Sequence, residues 1–164
     1  MTVKHILVAT DFGESARSAL DMAVELAHKF GAALTLAHCW ETPSYSYGGA
    51  LYVSVDTITP IERAANRCLE EALLELKKSF PEATGVLRSG TAWEEILVAA
   101  TESKADLIVI GTHGRRGLGR LLLGSVAEKV VRMAQLPVLT VHAPALATDA
   151  QKPRASAEAA PLAG

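Results

Sequence analysis

The sequence predicts an α/β three-layer sandwich around a five-stranded parallel sheet, Rossmann-like or flavodoxin-like in architecture. Three observations predict it. Short apolar, β-rich runs alternate with longer stretches whose apolar residues recur at helical spacing, glycine or proline marks the joins, and the alternation repeats as β-α-β-α-β-α-β-α-β. Parallel strands need helical crossovers, and those crossovers are right-handed.

Residues 4–10 form an apolar run ending at Asp11, after which Ala16, Ala19, Leu20, Ala23, Val24, Ala27 and Phe30 keep helical spacing. Gly31 supplies the helix stop, and residues 33–40 give the next strand. Residues 50–60 are mixed in character and read, with the Tyr/Gly-rich stretch before them, as a loop or lid. Ile61, Ala65, Cys68, Leu69, Ala72, Leu73, Leu76 and Phe80 form a second helical stripe, closed by Pro81, which lacks an N–H donor. A weaker strand at 84–88 precedes a helix opened by Trp93-Glu94-Glu95, whose carboxylates suit the positive end of the helix dipole. The strand at 106–110, a glycine-rich loop, a helix from Ser125 and a strand at 137–142 complete the series. Residues 144–164 carry few large apolar groups and cannot bury enough surface to offset ordering entropy. One domain over 1–143 with a disordered tail over 144–164 is therefore expected.

Composition narrows the function. At 164 residues and 49% hydrophobic content the chain can bury one sizeable core, yet no apolar run reaches membrane-spanning length. The opening residues enter a strand directly and lack a secretory pattern, so a soluble, cytoplasmic protein without a membrane partner is expected. Cys39 and Cys68 give no disulfide framework and read as two buried thiols. The net charge of −2, and basic residues clustered only at Arg115, Arg116 and Arg120, argue against a nucleic-acid partner. Those three arginines read as a solvated face. His5, His28, His38 and His142 lack partners at zinc-site spacing, so no protein-built metal site is expected.

The stretch from Gly111 to Ser125 carries the chemistry. It joins a buried strand to a helix, at the sheet edge where open α/β folds bind ligands. Glycine has no Cβ, so the backbone at Gly111, Gly114 and Gly124 can approach an anion, and the following helix start offers unpaired N–H groups with Ser125 as a capping hydroxyl. The glycines alone fit a flexible turn equally well. The Walker lysine is missing between Gly124 and Ser125, and Gly111 and Gly114 do not fit the Gly-x-Gly-x-x-Gly dinucleotide fingerprint. A P-loop NTPase and a nicotinamide dehydrogenase are thereby disfavoured.

The spacing Gly, two residues, Gly, nine residues, Gly-Ser resembles the nucleotide-binding signature of the universal stress protein family, with Gly111, Gly114, Gly124 and Ser125 matching. Residues 4–11, 34–39, 106–114 and 136–141 follow the family pattern in the same order, so the resemblance covers residues 3–142. It implies that family's fold and strand order, membership of its ATP-binding branch, and a homodimer through the last strand, Val138 to Val141. Residue by residue, it places Thr10 and Asp11 at the nucleoside end, where a carboxylate accepts from ribose hydroxyls, and Cys39 where a small aliphatic group often touches adenine. Ordinary turn or capping work for Asp11 and a plain core thiol for Cys39 stay open beside these roles. His113 can donate to a phosphate oxygen, and Val126 follows Ser125 into the helix start.

The implied function is a stress-response regulatory module that binds ATP or another adenine nucleotide, with Mg or Mn arriving on the phosphates. No catalytic residue stands out: Glu14 lies near Asp11 in sequence, but no group is placed to align water with a terminal phosphate. A weak ATPase or phosphotransferase, and a nucleotide-independent dimeric adaptor or chaperone-like protein using residues 45–55, are the alternatives.

Overall fold

The computed structural model describes residues 2–41, 46–47, 50–51, 55–112 and 123–143. In chain order these form β1 (His5–Thr10), α1 (Glu14–Phe30), β2 (Ala33–Trp40), β3 (Ser46–Tyr47), β4 (Ala50–Leu51), α2 (Val55–Ser79), β5 (Thr84–Ser89), α3 (Ala92–Glu102), β6 (Leu107–Gly111), α4 (Ser125–Met133) and β7 (Val138–Val141). The expected tail, residues 144–164, lies outside the described residues, as do His113, Gly114 and the three loop arginines.

The five main strands form one parallel sheet in the order β5-β2-β1-β6-β7. Period-two alternation explains how these apolar runs feed two cores at once. In β1, Ile6 and Val8 face one layer while Leu7 and Ala9 face the other. The first layer is closed by Ala19, Ala23 and Ala27 of α1 and Leu69 and Leu76 of α2. The second is closed by Ile96, Ala99 and Ala100 of α3 and Ala127 and Val130 of α4. Ile6, Leu7 and Val8 are fully buried, each stabilising the fold by about 1.5–3 kcal/mol in transfer free energy. Gly31 ends α1 in the left-handed conformation at φ 62°, donating its N–H to Ala27, as the sequence suggested.

Two expectations fail here. Residues 50–60 were read as loop, but the chain pairs Ala50–Leu51 against Ser46–Tyr47 and then enters α2 at Val55, with Pro60 inside the helix. Proline disfavours helical geometry in the residue before it and removes one i→i−4 donor, which is why the stripe reads as starting at Ile61. Near the start of a 25-residue helix that loss is tolerated. Cys68, expected to be buried, is exposed. Ala65, Leu69 and Leu76 define the buried line of α2, and Cys68 lies about 100° round the helix from Leu69.

The chain runs from β1 out to β2 and β5, then returns to β6 on the other side of β1. The reversal leaves a crevice at the carboxyl ends of β1 and β6, where doubly wound sheets place ligands. Asp106 fixes this pair of strands at the opposite end, its Oδ2 accepting the N–H groups of Lys4 at 2.7 Å and His5 at 3.1 Å.

Candidate functional site

A cavity of about 160 Å³ occupies that crevice. The end of β1 contributes Ala9, Thr10 and Asp11; β2 contributes Ala37 and Cys39; the end of β6 contributes Ile110, Gly111 and Thr112. Ala92 and Ile96 of α3 form one wall, Gly124 to Ala127 another, and Ala16 of α1 a third. Seven residues singled out from the sequence therefore line one cavity: Thr10, Asp11, Cys39, Gly111, Gly124, Ser125 and Val126. The described walls enclose less than the roughly 300–1,000 Å³ of ordinary ligand clefts. A larger groove of about 640 Å³ lies between α1 and α2, lined in part by Arg17, Asp21 and Glu75, and shares only Thr10 and Ala16 with the cavity.

The β1–α1 turn is held by its own side chains. Thr10 Oγ1 accepts the Phe12 N–H at 2.9 Å, and Asp11 Oδ1 accepts the Gly13 N–H at 2.9 Å. The turn role considered for Asp11 is therefore realised. Phe12 adopts φ 63°, a left-handed conformation costly for a bulky residue, and its ring lies 4.4 Å from that of His38. The His38 Nδ1 donates to the Thr10 carbonyl at 2.8 Å, since a carbonyl only accepts. His38 thus buttresses the turn from β2. Among the described residues no group of three His, Cys, Asp or Glu side chains could hold a metal ion.

Gly111 has a packing reason for being glycine. A Cβ there would come within 2.6 Å of the Ser15 carbonyl carbon and 2.8 Å of the Ala16 N, both backbone atoms. Its bare Cα lets the first turn of α1 close onto β6. Ser125 corrects one detail: the N-cap of α4 is Gly124, Ser125 is the first helical residue, and among the described residues no side chain caps the helix start. The physical reason is that Gly124, at φ −59° and ψ 149°, holds the non-helical cap conformation and leaves the first-turn N–H groups without a side-chain acceptor.

Cys39 enters the cavity lining from β2, on the other side of β1 from β6. Its Sγ approaches the Gly90 carbonyl at 3.5 Å, and burial, with the nearby carboxylates of Glu95 and Glu41, pushes its thiol pKa up to about 11. At neutral pH it is thereby a small, neutral group. Behind it, Arg88 of β5 donates from Nε to Glu95 Oε2 at 2.8 Å and from Nη1 to Glu102 Oε2 at 3.0 Å. The hydrogen bond with Glu95 holds the guanidinium more firmly charged. The two carboxylates stand seven residues apart on α3, so one arginine fixes both ends of the helix that supplies Ala92 and Ile96. Glycine and capping patterns do not signal these wall residues, nor Thr112; only their position at strand and helix ends, known once the topology is known, marks them.

Comparison with known proteins agrees with this fold. The model of the universal stress protein family matches residues 2–142. The chain is 38% identical over 139 residues to a universal stress protein of Thermus aquaticus, covering 85% of this chain and 98% of the relative. It is 34% identical over 143 residues to universal stress protein A homolog 1 of Coxiella burnetii, covering 86% and 97%. Among solved structures, the universal stress protein from Archaeoglobus fulgidus in complex with dAMP matches at TM-score 0.61 and 27% identity, covering 86% and 99%. A universal stress protein in complex with cAMP matches at TM-score 0.57 and 27% identity, covering 88% and 100%. With a family-model match over residues 2–142 and relatives 34% and 38% identical over most of both chains, the chain belongs to the universal stress protein family.

Proposed function

We propose that this protein binds ATP or another adenine nucleotide in the crevice at the ends of β1 and β6, and that occupancy makes it a regulatory module in the stress response. The observation that carries this reading is convergence: residues from three strand ends and the start of α4, far apart in sequence, line one cavity. Complexes of two structural neighbours with dAMP and cAMP support the adenine class. In this reading Cys39 packs on the base, Thr10 and Asp11 hold the ribose end, and Gly111, His113, Gly114, Gly124, Ser125 and Val126 form the phosphate side. The first-turn N–H groups of α4, which no described side chain caps, favour an anion. A Mg or Mn ion arrives on the phosphates and is held mainly by phosphate oxygens and water. The protein acts in the cytoplasm as a homodimer through β7, and hydrolysis is at most slow, because no described group is assigned to align water.

Calorimetry on ligand-stripped protein with ATP, ADP, AMP and GTP tests the proposal. Adenine-selective binding without turnover is expected, and Gly124→Val abolishes ATP binding while unfolding stays cooperative, because its side chain enters the anion approach. Multiple turnovers would make the protein an enzyme; absence of binding, or parental affinity in Gly124→Val, would overturn the site.

A further inference from the structure

The start of α4 is tied to the end of β7 by one residue that the proposed ligand contacts do not include. Thr112 is 1% exposed and uses all its polar groups. Its N–H donates to the Val141 carbonyl at 2.9 Å, extending the β6–β7 ladder by one step. Its carbonyl accepts the Gly124 N–H at 2.6 Å, drawing the residue before α4 against the residue after β6. Its hydroxyl pairs with His142 Nδ1 at 2.8 Å. Residue 112 is therefore anchored twice to the β7 end, through backbone and side chain, and presents its carbonyl to the N-cap of α4. A two-point anchor fixes orientation where a single hydrogen bond allows rotation.

We infer that Thr112 and His142 are positioning residues for the phosphate side: together they fix the Gly124 peptide, and with it the direction in which the first-turn N–H groups of α4 point. The inference rests on the nucleotide reading for its functional consequence, but the positioning itself is a property of the ligand-free protein. Helix N–H groups bind an anion well only when they converge on it, and so the pair matters to phosphate and not to base or ribose.

The test compares ATP with adenosine in calorimetry, using Thr112→Val, which keeps the shape and removes the hydroxyl, His142→Leu, and both together. Each single variant is expected to lose about threefold to tenfold in ATP affinity with adenosine affinity unchanged. The double variant should lose less than the sum of the two singles, because both singles break the same Thr112–His142 hydrogen bond. Thr112→Ser restores ATP affinity. Exchange of the Gly124 amide hydrogen in ligand-free protein supplies a second readout and is expected to quicken in Thr112→Val and to return in Thr112→Ser. ATP affinity within twofold of the parent, a parallel loss for adenosine, or unchanged Gly124 exchange would overturn the inference. A parent protein that binds no ATP would overturn the nucleotide reading alone, and Gly124 exchange would then decide the positioning claim by itself.

Discussion

Cys39 shows what a single position in this fold does and does not reveal. Its place at the end of an apolar run is readable, because β2 must end where the sheet meets solvent; its neutral character is not, because the burial that chiefly raises its pKa, and the approach of Glu95, arise only in the tertiary fold. Folding holds the proton on, so the thiol's contribution to stability is intact below pH 9 and is lost as the pH rises toward 11. At pH 8 roughly one Cys39 thiol in a thousand is ionised. Iodoacetamide at that pH is therefore expected to label exposed Cys68 well before half-buried Cys39, as read by peptide mass spectrometry. Labelling of Cys39 at the same rate would mean that the thiol is neither shielded nor raised. Phe12 makes the complementary point: the Thr10 hydroxyl that accepts its N–H is a local turn signal, but the His38 ring packed against it comes from β2, and nothing in the local sequence announces a left-handed phenylalanine there.

At the scale of elements, periodicity was informative wherever one face is buried. The five main strands and the cores of all four helices stand where alternation and helical stripes put them. The start of α2 is not legible in this way, because residues 50–60 are mixed in character and carry no helical stripe of their own. Helix α3 is legible as a helix, but its attachment is not, because Arg88 meets Glu95 and Glu102 only when β5 lies beside it. The Arg88 and Glu95 side chains are 27% and 23% exposed, so the pair is partly shielded from solvent. Arg88→Met is expected to cost about 1–2 kcal/mol in urea unfolding. Breaking the Glu75–Lys78 pair, 74% and 69% exposed, should cost less than about 0.5 kcal/mol. Equal costs for the two would show that the Arg88 cluster contributes no more than a solvated surface pair.

For the whole molecule, strand order was beyond local reading: the β-α alternation fixes parallel pairing but not which side of β1 receives β6, and the family resemblance supplied that step. The order leaves β7 at one edge of the sheet, paired on one side with β6 among the described residues. An apolar edge strand invites a second strand, and a two-fold copy satisfies it with an isologous contact. The direction of its backbone groups selects the decisive substitution. Pro137 and Val141 turn their carbonyls to β6, accepting from Ile108 at 3.0 Å and Thr112 at 2.9 Å. Strand alternation then points the backbone of residues 138, 140 and 142 away from the sheet. Thr140→Pro removes an outward donor and spares the β6–β7 ladder, whereas Leu139→Pro would break the ladder itself. Sedimentation at micromolar concentration is expected to find the parent dimeric, Thr140→Pro shifted to monomer with its cooperative unfolding retained, and a chain lacking residues 146–164 still dimeric. A monomeric parent, or a dimer that survives Thr140→Pro and is lost on tail removal, would place the assembly surface elsewhere than on β7.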